Sequence, residues 1–121
     1  MARKKVMIDG EEFVKADELK AELVDGMEFK IVRTYSAGVF AGYIEEVSEN
    51  GKRVVIRKAI RLHAWQGAAS LSQMAMEGTN KPSGCRFAMA VDKVSVSECI
   101  ELLDCTLQAQ KSIEGAKSWK V

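Results

Sequence analysis

The sequence is short of several things, and each shortage removes a class of function. Of its 121 residues one is histidine (His63), one is proline (Pro82) and three are cysteine. With a single histidine, no Ser-His-Asp order and no metal-ligand cluster can be assembled. Cys85, Cys99 and Cys105 show no Cys-x-x-Cys spacing, so neither a disulfide scaffold nor a zinc site is supported. Three unpaired thiols fit a reducing compartment. Charge of one sign is also lacking: 18 basic against 17 acidic residues give a formal charge of +1. That balance argues against a general nucleic-acid coat, though not against a small anion held by a few arginines. No run approaches the ~20 apolar residues of a membrane span. The apolar stretch Val6-Met7-Ile8 after the basic start is too short for a signal peptide, so a cytoplasmic protein is expected. Phosphate-loop and dinucleotide-fold glycine fingerprints are missing as well. Binding without turnover is therefore the simpler expectation, with no catalytic residue, metal or cofactor.

What is present is a legible alternation of periods and turn signals. Val6 to Val14 reads as a hairpin around Asp9-Gly10. Asp17 could cap a short helix through Val24, with Ala16, Leu19 and Leu23 on one side and Gly26 as its stop. From Glu28 the period becomes two, and Phe29, Ile31 and Val32 mark a strand running to Tyr35. Val39 to Val47 and Arg53 to His63 follow as strands, separated by Ser36-Ala37-Gly38 and by Asn50-Gly51. These three strands predict an antiparallel meander. Trp65 to Gly78 favours a helix, with Ser70 and Gln73 at capping-box spacing and a start as early as Gly67. Strands are expected over Arg86–Val91 and Ser97–Leu103, with Val94 to Val96 leading into the latter. Thr106 caps a last helix to about Glu114, ended by Gly115. The fold class is α+β: an antiparallel sheet meander with one central helix and a short C-terminal helix, in one ligand-binding domain over residues 1–121.

Three constellations could carry a ligand. Strict alternation in the third strand puts Arg53, Arg57 and Arg61 on one face, about 13 Å between neighbours. Arginine's rigid donor fork suits phosphate, and at that spacing a pyrophosphate needs a partner from elsewhere, with Arg33 one further guanidinium. The alternative is a solvated face pairing with Glu45 or Glu46 across the hairpin. The strand-to-helix junction, His63 to Ser70, offers backbone N–H groups, small residues at Gly67 and Ala68, the Ser70 hydroxyl and the Trp65 indole. The alternative there is a buried tryptophan and a tight packing turn. Phe40 and Tyr43 lie in a glycine-flanked strand that marks a bulge, a close approach by another chain, or simply core. Met74, Met76 and Trp119 could instead anchor a protein interface.

The runs Ser36 to Tyr43, Ala59 to Gln73 and Cys105 to Ile113 resemble the first Thoeris anti-defence family of phages, over roughly residues 28 to 119. The resemblance implies a sponge that sequesters glycocyclic ADP-ribose, the messenger of TIR-domain Thoeris immunity, and holds it intact in the cytoplasm of the infected bacterial host. It also implies a homo-oligomer, dimer or hexamer, and in some members a separate site for cyclic trinucleotides. The sequence departs from the family pattern at Ala64 and Gln66, where an aromatic and an acid are expected. The candidate ligand-binding set is read from the residues themselves: Arg33, Phe40, Tyr43, Arg57, Arg61, Trp65, Gly67, Ala68 and Ser70. The alternative readings are an oligomeric protein-interaction module of phage origin and a small cyclic-nucleotide hydrolase.

Overall fold

The computed structural model describes residues 5–8, 11–14 and 19–121. β1 (Lys5–Ile8) and β2 (Glu11–Val14) pair antiparallel, as the hairpin reading expects. Asp9 and Gly10 of its turn lie outside the described residues, as do Ala16 and Asp17. The helix expected up to Val24 is not formed over its described part. Lys20 bridges to Thr106 instead, and Val24 to Met27. The backbone donors have gone elsewhere. Ala21 N donates to Cys105 O at 3.2 Å, and Glu22 N donates to Gln110 Oε1 at 2.7 Å. Groups already satisfied by the C-terminal part of the chain cannot also close helical turns. Gly26 ends no helix. It shares a two-residue turn with Asp25, both at positive φ, between Val24 and Met27.

The meander forms as expected from β3 (Glu28–Thr34), β4 (Val39–Val47) and β5 (Val54–Ala64). α1 (Leu71–Glu77) is capped by Ser70, whose Oγ accepts from Gln73 N at 3.1 Å, and Gly78 stops it at φ +74°. The strand expected over 86–91 divides. β6 (Arg86–Phe87) and β7 (Val91–Val96) both line the outer edge of β5, β6 opposite Leu62 and Ala64, β7 opposite Val54 to Ala59. β8 (Cys99–Asp104) pairs with β3 on the opposite edge. Thr106 then caps α2 (Leu107–Gly115) by accepting from Ala109 N at 3.1 Å. The α+β class with a central and a C-terminal helix is the architecture observed. Among the described residues no helix is long and apolar enough to cross a membrane.

β7 and β8 sit on opposite edges, yet only Ser97 and Glu98 separate them. Two residues let Val96 and Cys99 lie at most about 11 Å apart. Laid flat, the four strand spacings from β7 to β8 would span about 19 Å. The sheet must therefore curl. Its inner side closes around Val32, Phe40, Val54, Ile56, Ala59, Val96 and Cys99. Its outer side carries Phe29, Ile31, Ala41, Tyr43, Ile60 and Leu62 against Met74 and Ala75 of α1 and Ala109 and Ile113 of α2.

The two faces change hands within β5. Lys58 adopts φ +51°, and the register with β4 shifts there, so that Gly42 faces two residues of β5 instead of one. A β-bulge of this kind reverses the alternation after it. Val54 and Ile56 point inward before the bulge, and Ala59 points inward after it. Gly42 leaves room for the bulge, since a Cβ there would lie 2.9 Å from the Arg57 carbonyl oxygen.

One buried polar node ties the layers together. Tyr43 Oη donates to the Glu114 carboxylate at 3.0 Å and accepts from Gln110 Nε2 at 3.0 Å. Gln110, itself buried, also donates to Glu22 O at 3.0 Å. Burial, and secondarily the Glu114 carboxylate, pushes the Tyr43 phenol up from 10 to about 12, opposed by Gln110. The folded state thus favours the protonated phenol. Its contribution is complete below pH 10 and lost as pH rises through about 12. Tyr43→Phe should lower stability by about 1 kcal/mol at neutral pH. It should also flatten the alkaline loss of stability across that window, as read by urea unfolding at stepped pH.

Candidate functional site

The bulge at Lys58 separates arginines that strict alternation would align. Arg57 stands opposite Tyr43 and Arg61 opposite Phe40 across the same strand pair. Tyr43 belongs to the outer core and Phe40 to the inner one, so Arg57 and Arg61 project from opposite faces. The expectation of one arginine face is corrected on that ground.

Three of the five arginines among residues 19–121 are committed to carboxylates. Arg33 Nε donates to Glu101 Oε1 at 2.8 Å, and Arg53 lies 3.6 Å from Glu46. Arg57 donates from Nη1 to Glu45 Oε1 at 2.9 Å and from Nε to Asp92 O at 3.0 Å. The hydrogen bond to Glu45 raises the Arg57 pKa and depresses that of Glu45. For Arg53 and Arg57 this is the pairing across the hairpin that the sequence left open as the alternative, while Arg33 is engaged by Glu101 of β8, so neither Arg33 nor Arg57 offers a free guanidinium.

The strand-to-helix junction is filled by its own chain. At Gly67, φ is +84°, and a Cβ would stand 2.7 Å from Lys81 N and 2.8 Å from Asn80 Oδ1. The loop over residues 79–81 is laid directly on this glycine. Thr79 Oγ1 donates to Gln66 O, and Thr79 N donates to Ser112 Oγ at 2.9 Å, fastening that loop to the junction and to α2. Ala68 and the half-buried Trp65 pack on the outer core. Ser70 Oγ is spent on its cap, and Ala69 N donates to Gln73 Oε1 at 2.7 Å. Trp65, Gly67, Ala68 and Ser70 therefore build a packing turn rather than an open anion cradle. Tyr43 is equally unavailable, with its ring 3% exposed and its hydroxyl engaged. Met74, fully buried, is core and no interface anchor.

What remains is Arg61, whose guanidinium lies on the buried Phe40 ring, and further along β5 a second cluster that the sequence did not reveal. Arg61 Cζ is 4.7 Å from the centroid of the buried Phe40 ring. Two residues further along β5, the His63 ring stacks on Trp119, centroids 5.4 Å apart and planes inclined by 9°. Arg86, in β6 beside Ala64, places Cζ 5.3 Å from the Trp119 ring. Trp119 is held by its backbone N, which donates to Phe87 O at 2.8 Å, and half of it stays exposed. Among the described residues neither Arg61 nor Arg86 has a carboxylate within salt-bridge distance, unlike the other three arginines. Beside Trp119 opens a cleft of about 430 Å³, lined also by Pro82, Ser83, Cys85, Gly115, Lys117 and Ser118.

This arrangement can present guanidinium donors to an anion next to a flat apolar ring. A guanidinium lying on a ring keeps its in-plane N–H edge for a ligand. Nucleophilic chemistry finds less to use. Burial pushes the Cys105 thiol up to about 12, and Cys85 and Cys99 are also buried. Among the described residues no group of three His, Cys, Asp or Glu side chains could hold a metal ion. Residues 63, 86 and 119 are too far apart in sequence for spacing to connect them. The one available signal was a tryptophan standing alone among the lysines of the last residues.

Gly67→Ala should unfold the protein more readily, by about 2 kcal/mol or more, because a Cβ meets backbone at a left-handed position. Urea unfolding checks this. An open junction would tolerate the added methyl far better.

The comparisons add a family but no activity. A family model described as "Domain of unknown function (DUF6948)" matches residues 27–113, from the start of the meander to the last turns of α2. No curated protein and no solved structure matches the chain. Because the match spans more than two thirds of the sequence, the chain belongs to the DUF6948 family.

Proposed function

We propose that the chain is a non-catalytic binder that captures a small phosphate-bearing nucleotide and holds it intact. The ligand class is that of cyclic ADP-ribose isomers, and the setting is the cytoplasm of a phage-infected bacterium. There, in the manner of the Thoeris anti-defence family it resembles, capture would keep a TIR-derived signal from its receptor. One observation carries the reading: Arg61 and Arg86 have no carboxylate partner among the described residues, and each rests on an aromatic ring. Each of these guanidiniums can present paired donors to the oxygens of a phosphate. A nearby indole suits an adenine face. Assembly into a homo-oligomer, and a separate site for a cyclic trinucleotide, belong to the same proposal through the resemblance alone.

The test is native mass spectrometry with a cyclic ADP-ribose isomer, followed by heat denaturation and chromatography of the released ligand. A bound ligand recovered unchanged supports capture, and a hydrolysed product rejects it. Arg61→Ala and Arg86→Ala should each weaken binding by about 1.5–3 kcal/mol, the usual worth of a hydrogen bond to a charged group. Arg57→Ala, on the opposite face, should leave affinity unchanged. If Arg57→Ala alone weakens binding, the site lies elsewhere.

A further inference from the structure

We infer that base recognition in this protein resides in the segment Ala116–Val121, through Trp119, while the sheet supplies only the anion-binding arginines. The inference rests on the nucleotide-capture reading and divides that site into two separately testable halves.

The argument begins with which aromatic rings a base could reach. Phe29, Phe40, Tyr43 and Phe87 are buried, and Trp65 is half-buried with its packing on the outer core. Two large aromatic side chains remain broadly exposed among the described residues, Tyr35 at 79% and Trp119 at 50%. Tyr35 follows β3, where the neighbouring guanidinium, Arg33, is taken by Glu101. The residue next to it, Ser36, donates to the Glu98 carboxylate at 2.8 Å. A phosphate brought there would meet two carboxylates. Trp119 has the reverse surroundings: Arg86 and His63 touch its ring, and Arg61 lies two residues before His63.

The cleft beside Trp119 has the dimensions for a ring system. Its volume of about 430 Å³ falls within the range of small-molecule sites. Ser83, Lys117 and Ser118 line it together with Trp119. Lys117, Ser118 and Trp119 all come from the closing segment, which has neither helical nor strand pairing. That segment leaves α2 through Ala116 and is pinned by the hydrogen bond from Trp119 N to Phe87 O. It also lies beyond the residues the family model matches. One wall of the cleft is thus carried by a strap laid against β6, and the strap brings the ring that a base requires.

The experiment measures cyclic ADP-ribose affinity by calorimetry, and tryptophan emission during the same titration, for the intact chain, Trp119→Ala and Trp119→Phe. Stacking on an aromatic side chain predicts about a 10-fold or greater loss for Trp119→Ala. Trp119→Phe should recover to within about 3-fold, because a phenyl ring still offers a stacking face. Ligand should quench emission in the intact chain, and the quench should vanish in Trp119→Phe, which retains Trp65. The quench comparison stands even if Trp119→Ala does not fold. Unchanged affinity in a folded Trp119→Ala, or a quench that persists in Trp119→Phe, overturns the assignment and leaves nucleotide capture standing. An intact chain that binds no cyclic ADP-ribose overturns the capture reading itself, before any variant is made.

Discussion

One extra residue in β5 decides the side of the sheet on which Ala59, Ile60, Arg61 and Leu62 stand. Lys58 at φ +51° opposes Gly42 together with its neighbour, and the inward set passes from Val54 and Ile56 to Ala59. Without the bulge, Arg57 and Arg61 would share a face and Ile60 and Leu62 would leave the helices. A left-handed conformation costs a non-glycine residue roughly 1–2 kcal/mol. That cost is offset by keeping two apolar cores satisfied at once, since burying a side chain such as Ile60 or Leu62 is worth about 1.5–3 kcal/mol. Bulges also sharpen twist and bend the strand that carries them. The same residue thereby assists the curl that lets two residues join opposite edges of the sheet.

Competition for partners then sorts the charged and polar groups. A strand face that pairs with an acidic hairpin neighbour spends its arginines on carboxylates, as Arg53 and Arg57 do with Glu46 and Glu45. A ligand phosphate would have to displace those partners. Arg61 and Arg86 face rings instead of acids. A guanidinium is weakly hydrated and lies on an aromatic face at little desolvation cost, so its donors stay available at the rim. The same competition closes the strand-to-helix junction. Its Ala69 N–H is taken by Gln73, its Gln66 carbonyl accepts from Thr79, and the loop over residues 79–81 lies directly on Gly67, so the junction is covered by its own chain.

The sequence makes the local parts of this fold legible and the long-range parts not. Asn50-Gly51, Ser70 with Gln73, Gly78 and Thr106 each encode their turn or cap within four residues, and each stands where its chemistry places it. The failures all involve partners distant along the chain. Residues 19–24 satisfy helical spacing, but their donors are claimed by Cys105 and Gln110. The run from Arg86 to Val91 reads as one strand, yet its residues serve opposite ends of β5 as two. Lys58 on an apolar face and glycines flanking Phe40 and Tyr43 did signal irregularity. Neither fixed a bulge at one residue, and the arginine face was lost there. The rest of the expected ligand set went to other long-range partners: Arg33 to Glu101, Tyr43 to Gln110 and Glu114, and the junction around Gly67 to residues 79–81. The strip of His63, Arg86 and Trp119 had no local signature, because three separate elements contribute one residue each.

That scattered origin bears on how such a strip can hold a ligand. β6 is two residues long and pairs β5 over few positions, and the segment after α2 has no ladder of its own and is held to β6 by the bond from Trp119 N to Phe87 O. Elements with so few contacts sit at the low end of local stability. A ligand touching Arg61, Arg86 and Trp119 together would bridge all three elements and add its binding energy to their packing. By linkage, free ligand at 100 times its dissociation constant contributes about 2.7 kcal/mol to the bound form. That is enough to order a weakly held strap. A ligand bridging these elements would also oppose their separation, which would slow its dissociation. For a protein whose proposed task is to keep a signal from its receptor, slow release is the property that matters. An enzyme would be hindered by it, since a product held by the same bridge would leave just as slowly.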